Sequence, residues 1–246
     1  VNRSHHLNVR DGKEIQMQQD MWPRSHEVAI PLGGLALHGT LTLSPHPPGL
    51  VLFAHGSGSS RFSPRNRFVA EVLQRAGLST MLFDLLTAEE ERLDENTMHL
   101  RFDIELLAER LLGATDWAAT RPELREASIG YFGASTGAAA ALVAAARRPN
   151  RVAAVVSRGG RPDLAQGILS QVRAPTLLIV GGRDTPVIGM NEEAMARMLH
   201  AEVKLEIVPG ATHLFEEAGA LDRVAELARD WFLRHLASVA APTRPA

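Results

Sequence analysis

The chain contains no cysteine. That absence removes disulfides, thiolate metal sites and a cysteine nucleophile together, and leaves the redox compartment open. Lysine is scarce too: Lys13 and Lys204 are the only two, so basic charge is carried by arginines spread along the chain, with no basic stripe to grip a nucleic acid. A net charge of -2 gives no reason to expect a polyanionic partner. Aromatic residues are 5% of the total, too few to point to an aromatic-lined pocket. No apolar run of about 18 residues is available to span a membrane, and residues 1–10 lack the apolar core of a signal peptide. The expected location is cytoplasmic.

What is present is 246 residues, 45% hydrophobic and 22% charged, the profile of one globular domain with room for a substantial core. Residues 1–26 are polar and aperiodic and read as a loose N-terminal arm, 27–238 as a single α/β domain, and 239–246 as a flexible tail. The domain opens with strand-type segments at 27–30 and 35–43 around Pro31-Leu32-Gly33-Gly34, which is hairpin chemistry. Strands then alternate with helices. Buried-type strands are expected at 50–54, 79–83, 127–132, 152–157, 175–180 and 203–208, with helices at 65–76, 102–120, 138–146, 191–200 and 217–236. Such alternation favours a mostly parallel sheet covered on both faces, here with an antiparallel opening. Only 17 residues separate Ser157 from Pro175, which leaves no room for a large cap domain.

Tyr131-Phe132-Gly133-Ala134-Ser135-Thr136-Gly137 is the most informative stretch. A strand enters a Gly-x-Ser-x-Gly turn and an alanine-rich helix leaves it, the context that lifts a serine hydroxyl out of a sheet. Ser135 is the candidate nucleophile. A serine needs a histidine to take its proton and a carboxylate to hold that histidine in the right tautomer. Gly181-Gly182-Arg183-Asp184 places Asp184 just after one apolar strand, and Pro209-Gly210-Ala211-Thr212-His213 places His213 just after the next. The bland readings are a helix cap for Ser135, a capping turn for Asp184 and a surface-loop position for His213.

A developing oxyanion needs two aimed N–H donors, each worth roughly 3 kcal/mol in the transition state. The backbone of Thr136 supplies one. The other is expected from His55-Gly56-Ser57-Gly58-Ser59-Ser60, with Ser57 N–H first and Gly58 N–H as fallback. A phosphate cradle is the competing use of that loop, but the Gly-Lys-Ser/Thr ending of a P-loop is missing. His55 is assigned to loop geometry and Asp84 to shaping the site. Asp163 is the rival orienting carboxylate. The acidic run 89–95 reads as a solvated loop in a turn-and-helix context, since no paired histidines accompany it, and no metal or cofactor is called for.

On residues 55–59, 133–137, 182–184 and 210–213 the chain resembles the α/β hydrolases, and more narrowly the small capless dienelactone-hydrolase-like group, over roughly 27–236. The resemblance implies Ser135 as nucleophile, His213 as base and acid, Asp184 as orienting carboxylate, an acyl-enzyme intermediate and no cofactor. One departure stands out: dienelactone hydrolases proper use a cysteine nucleophile, so a general small carboxylic ester or lactone is the expected substrate. Residues 57–73 also resemble hydrolase domains joined to a phosphoribosyltransferase domain. Competing functions are a non-catalytic interaction module on a hydrolase fold, or an acyltransferase or peptidase using the same three residues. The expected partner is a small-molecule acyl substrate, and a homodimer stays open.

Overall fold

The computed structural model describes residues 24–45 and 47–236. Most of the expected arm and all of the expected tail lie outside the described residues. The first strand, β1 (Arg24–Leu32), begins three residues inside the span assigned to the arm, because Arg24 is already in register with Leu43 of β2 (Leu35–Leu43). Gly33 and Gly34, both at positive φ, close that hairpin, as the right-handed twist of a two-residue turn requires. Pro31 is tolerated because β1 lies at an edge of the sheet.

Strands β3 (Gly49–Ala54), β4 (Ser79–Phe83), β5 (Ser128–Ala134), β6 (Val152–Arg158), β7 (Thr176–Gly181) and β8 (Val203–Val208) complete one eight-stranded sheet. Its order is β1-β2-β4-β3-β5-β6-β7-β8. The β1/β2 and β2/β4 pairs are antiparallel and the remaining pairs parallel. Every residue of β3, β4 and β7 is buried, as expected where helices cover both faces and the strands read as continuous apolar runs.

Among the described residues six α-helices flank the sheet: α1 (Pro64–Arg75), α2 (Ala88–Thr97), α3 (Ile104–Thr120), α4 (Thr136–Arg147), α5 (Thr185–Arg197) and α6 (Ala220–Leu236). Helix α1 starts where Ser63 accepts the Asn66 N–H and Pro64 fills the first turn. Small side chains let α4 sit close on the sheet, and its residues 136–146 are all buried. A 3-10 run, Pro162–Gln171, is all that lies between β6 and β7 apart from short loops, so no cap domain is inserted there.

Two expectations need correction. The helix expected at 191–200 begins six residues earlier, at Thr185, because Pro186 is preorganised for a first helical turn. The acidic run is not a solvated loop. Thr87 and Glu90 form a capping box that starts α2 there, and Asp94 is buried, accepting from Leu100 N–H and paired with Arg101. Among the described residues no helix is long and apolar enough to cross a membrane.

Candidate active site

The strand order reverses around β3, whose neighbours are β4 on one side and β5 on the other. At such a point the loops leaving the carboxyl ends of two adjacent strands diverge and open a crevice. The loops are residues 55–63, after β3, and the turn at Ser135, after β5.

Ser135 has φ 50° and ψ -118°, a conformation that costs a non-glycine residue on the order of 1–2 kcal/mol. Its surroundings impose it. The Ser135 N–H donates to the Arg158 carbonyl at 3.2 Å, and the Ser135 carbonyl accepts from Ala138 and Arg161 N–H groups, each at 3.1 Å. A Cβ on Gly133 would overlap the backbone of Ala138, and one on Gly137 would overlap the carbonyl oxygens of Ala54 and His55. The glycines are therefore demanded by backbone approach on both sides of the turn. Ser135 sits at the cap position of α4, yet its side chain makes no capping bond.

Asp184 sits at the cap position of α5 and also makes no capping bond. Its Oδ2 instead meets His213 Nδ1 at 2.6 Å. Strands β7 and β8 are neighbours whose last residues, Gly181 and Val208, are in register, and this brings the two loops to the same level. The carboxylate side chain is 15% exposed and the imidazole 39%. Thr212 N–H donates to both carboxylate oxygens of Glu217 at 3.1 Å, which anchors the residue before the imidazole; the Thr212 hydroxyl, with that N–H, holds the Glu217 carboxyl below its ordinary pKa. A Cβ on Gly159 would lie 3.4 Å from His213 Cε1, so the ring packs against that α-carbon. Gly159 directly follows Arg158, whose carbonyl holds Ser135. Ser135, Asp184 and His213 each follow the carboxyl end of a strand, β5, β7 and β8, and Asp184 and His213 are in direct contact. Asp163 takes no part in that contact, because it forms a two-pronged pair with Arg161 at 2.8 and 2.7 Å.

The N–H of Thr136, at the first position of α4, has no intrahelical acceptor. Ser57 N–H is differently placed: it donates to Thr136 Oγ1 at 2.9 Å. The donor selected from the sequence thus already has a side-chain partner. Gly58, the fallback, stands at φ +66°.

His55 serves loop geometry. It is 6% exposed, its Nε2 accepts the Leu85 N–H at 3.1 Å, and its Nδ1 therefore carries the proton, directed at the Gly56 carbonyl 3.0 Å away. Burial pushes its pKa below the usual 6.5. As pH falls through 6.5 the unfolded chain takes up a proton that the folded chain refuses, so stability declines on the acid side. Gln at position 55 keeps an acceptor and cannot titrate. We expect His55→Gln to lose less melting temperature than wild type between pH 6.5 and about 5; melting curves that fall in parallel would refute the assignment. Asp84 accepts the Arg61 N–H at 2.8 Å and pairs with its guanidinium, which shapes the same loop.

Three supporting residues were missed from sequence. Glu217 was read only as a helix start. Asn191, fully buried, donates to the Gly160 and Val187 carbonyls at 3.1 and 2.8 Å and ties the loop after β6 to α5. A polar residue on the inner face of a helix was the available signal. Arg158 is 8% exposed, donates to Asn66 Oδ1 at 3.3 Å, and burial pushes its pKa down to about 10, which leaves it cationic at neutral pH. Its signal was a charge closing an apolar strand. Among the described residues no group of three His, Asp or Glu is placed to hold a metal ion.

The sequence profile of the dienelactone hydrolase family matches residues 39–238. Two curated proteins of Mycobacterium tuberculosis, both provisionally named phosphoribosyl transferases, are 55% identical over 231 residues, which is 94% of this chain and 51% of theirs. The chain spans about half the length of these relatives. Among solved structures, a dienelactone hydrolase from Anabaena variabilis is 60% identical with a TM-score of 0.85, covering 87% of this chain and 98% of that one. Est1E from Butyrivibrio proteoclasticus, 18% identical with a TM-score of 0.71 over 86% of this chain and 99% of its own, shares the fold.

Proposed function

We propose, from the premise that the chain belongs to the dienelactone hydrolase family, that it is a serine hydrolase cleaving a small or medium carboxylic ester or lactone. The fold and the family are those of hydrolases. The observation that carries the finer reading is Asp184, which heads a helix it does not cap and gives its carboxylate to His213 instead. That bond leaves Nδ1 protonated and Nε2 free to take a proton. In the proposed reaction Ser135 Oγ attacks the acyl carbon as His213 Nε2 accepts its proton. The tetrahedral oxyanion is held by Thr136 N–H and the 55–58 loop. Collapse expels the alcohol, which takes the proton back from His213, and water then repeats the sequence to free the acid and Ser135.

The phosphoribosyl transferase activity named for the longer relatives is assigned, within this proposal, to the half of those proteins that this chain does not cover. Fluorophosphonate labelling of purified protein, followed by intact mass and peptide mapping, is the direct test. One adduct per chain at Ser135 is expected. A well-folded protein that takes up no label would overturn the hydrolase reading in favour of a non-catalytic module on this fold.

A further inference from the structure

The residue after the nucleophile does more than supply its backbone N–H. Thr136 is 2% exposed, and its hydroxyl oxygen already accepts Ser57 N–H from 79 residues away. A hydroxyl has one proton and two lone pairs. Inside a helix a threonine returns that proton to the carbonyl four residues back, as Thr115 does to Leu111 at 2.9 Å. Thr136 has no such outlet, because four residues back lies Phe132, in strand β5. Among the described residues its hydroxyl proton has no acceptor.

Thr136 borders a small recess together with residues 55–58, with Leu85, Leu86 and Leu107 as its apolar wall and Glu91 and Arg101 as its charged side. The same loop touches the nucleophile, since a Cβ on Gly56 would lie 3.2 Å from Ser135 Cβ. The backbone N–H and the hydroxyl of Thr136 belong to the residue directly after Ser135, and the hydroxyl oxygen lies 2.9 Å from the backbone nitrogen of the loop residue Ser57. A hydroxyl that accepts a hydrogen bond also becomes a better donor, because each bond in a chain polarises the next.

Resting on the Ser135 nucleophile reading, we propose that the Thr136 hydroxyl is a catalytic oxyanion donor, polarised from behind by Ser57 N–H, which acts through it and not on the substrate directly. No covalent bond changes at Thr136; its O–H stays intact through both tetrahedral intermediates. The role assigned to Ser57 N–H from sequence is thereby moved one atom outward.

The test is hydrolysis of p-nitrophenyl butyrate by wild type, Thr136→Ser, Thr136→Val and Thr136→Ala, with melting temperatures and fluorophosphonate labelling rates. Serine should keep kcat within about threefold. Valine and alanine should lower kcat by about 10²–10³-fold, with labelling of Ser135 slowed in parallel and KM nearly constant. If the hydroxyl merely covers Ser57 N–H, alanine uncovers it and kcat is unchanged or higher, which overturns the proposal. A loss confined to KM and melting temperature would reduce Thr136 to a tie between loops and overturn it equally. Wild type that fails to label at Ser135 is a different result, seen before any variant is compared, and it strikes the hydrolase reading itself.

Discussion

Alanine in place of Ser135 should lower kcat/KM toward simple esters by at least about 10⁴-fold and leave the melting temperature nearly unchanged. The catalytic loss follows from the proposed mechanism, in which Ser135 Oγ is the atom that forms the acyl-enzyme. Donors in the turn and loop would still polarise a bound carbonyl, and what remains is the modest catalysis that binding and an oxyanion hole provide alone. The small thermal effect follows from the backbone. The φ of 50° is imposed by the Arg158, Ala138 and Arg161 contacts, which are all main-chain and survive the change. Glycine separates the two contributions. Ser135→Gly removes the side chain and also relieves the left-handed strain, so it should be as inactive as alanine but more stable by about 1 kcal/mol. Turnover by the alanine variant within tenfold of wild type would place the nucleophile elsewhere.

The second large effect is expected from Asp184→Asn, a change that keeps size and removes charge. In the wild type the carboxylate accepts from His213 Nδ1–H at 2.6 Å. An amide can turn its NH2 toward Nδ1 and stabilise the tautomer whose Nε2 bears the proton, and such an imidazole cannot receive one from serine. A fall in kcat of about 10³–10⁴-fold is expected, with KM little altered. Asp163→Asn supplies the control, because that carboxylate is committed to Arg161 and should cost less than about threefold. Comparable losses in the two variants would remove the distinction between these carboxylates and with it the orienting role of Asp184.

Much of the framework was legible in the chain because it depends on local signals. Apolar runs of five or six residues, helix starts such as Ser63-Pro64 and the glycine pair at 33–34 act within a few residues of themselves. The elbow around Ser135 is equally local, since its glycines answer to the backbone immediately beside the turn and to the strand next to it. The start of α5 was missed because Asp184 was placed on a loop after its strand, whereas the helix begins at the next residue with Pro186 in its first turn. The acidic run was misread because its buried member, Asp94, looks like its neighbours until Arg101 folds back on it.

By itself, then, the sequence determined an alternating α/β sheet, a serine at a strand-to-helix turn, and two later loops that each carry one candidate partner for it. Choosing between Asp184 and Asp163 required the tertiary structure, because both follow strands and only the adjacency of β7 and β8 brings one of them to His213. The fate of Ser57 N–H was also decided there, by a hydroxyl 79 residues distant. Periodicity and turn chemistry are properties of neighbouring residues. Hydrogen-bond partners across a sheet are set by strand order and register, which emerge only when the whole chain packs.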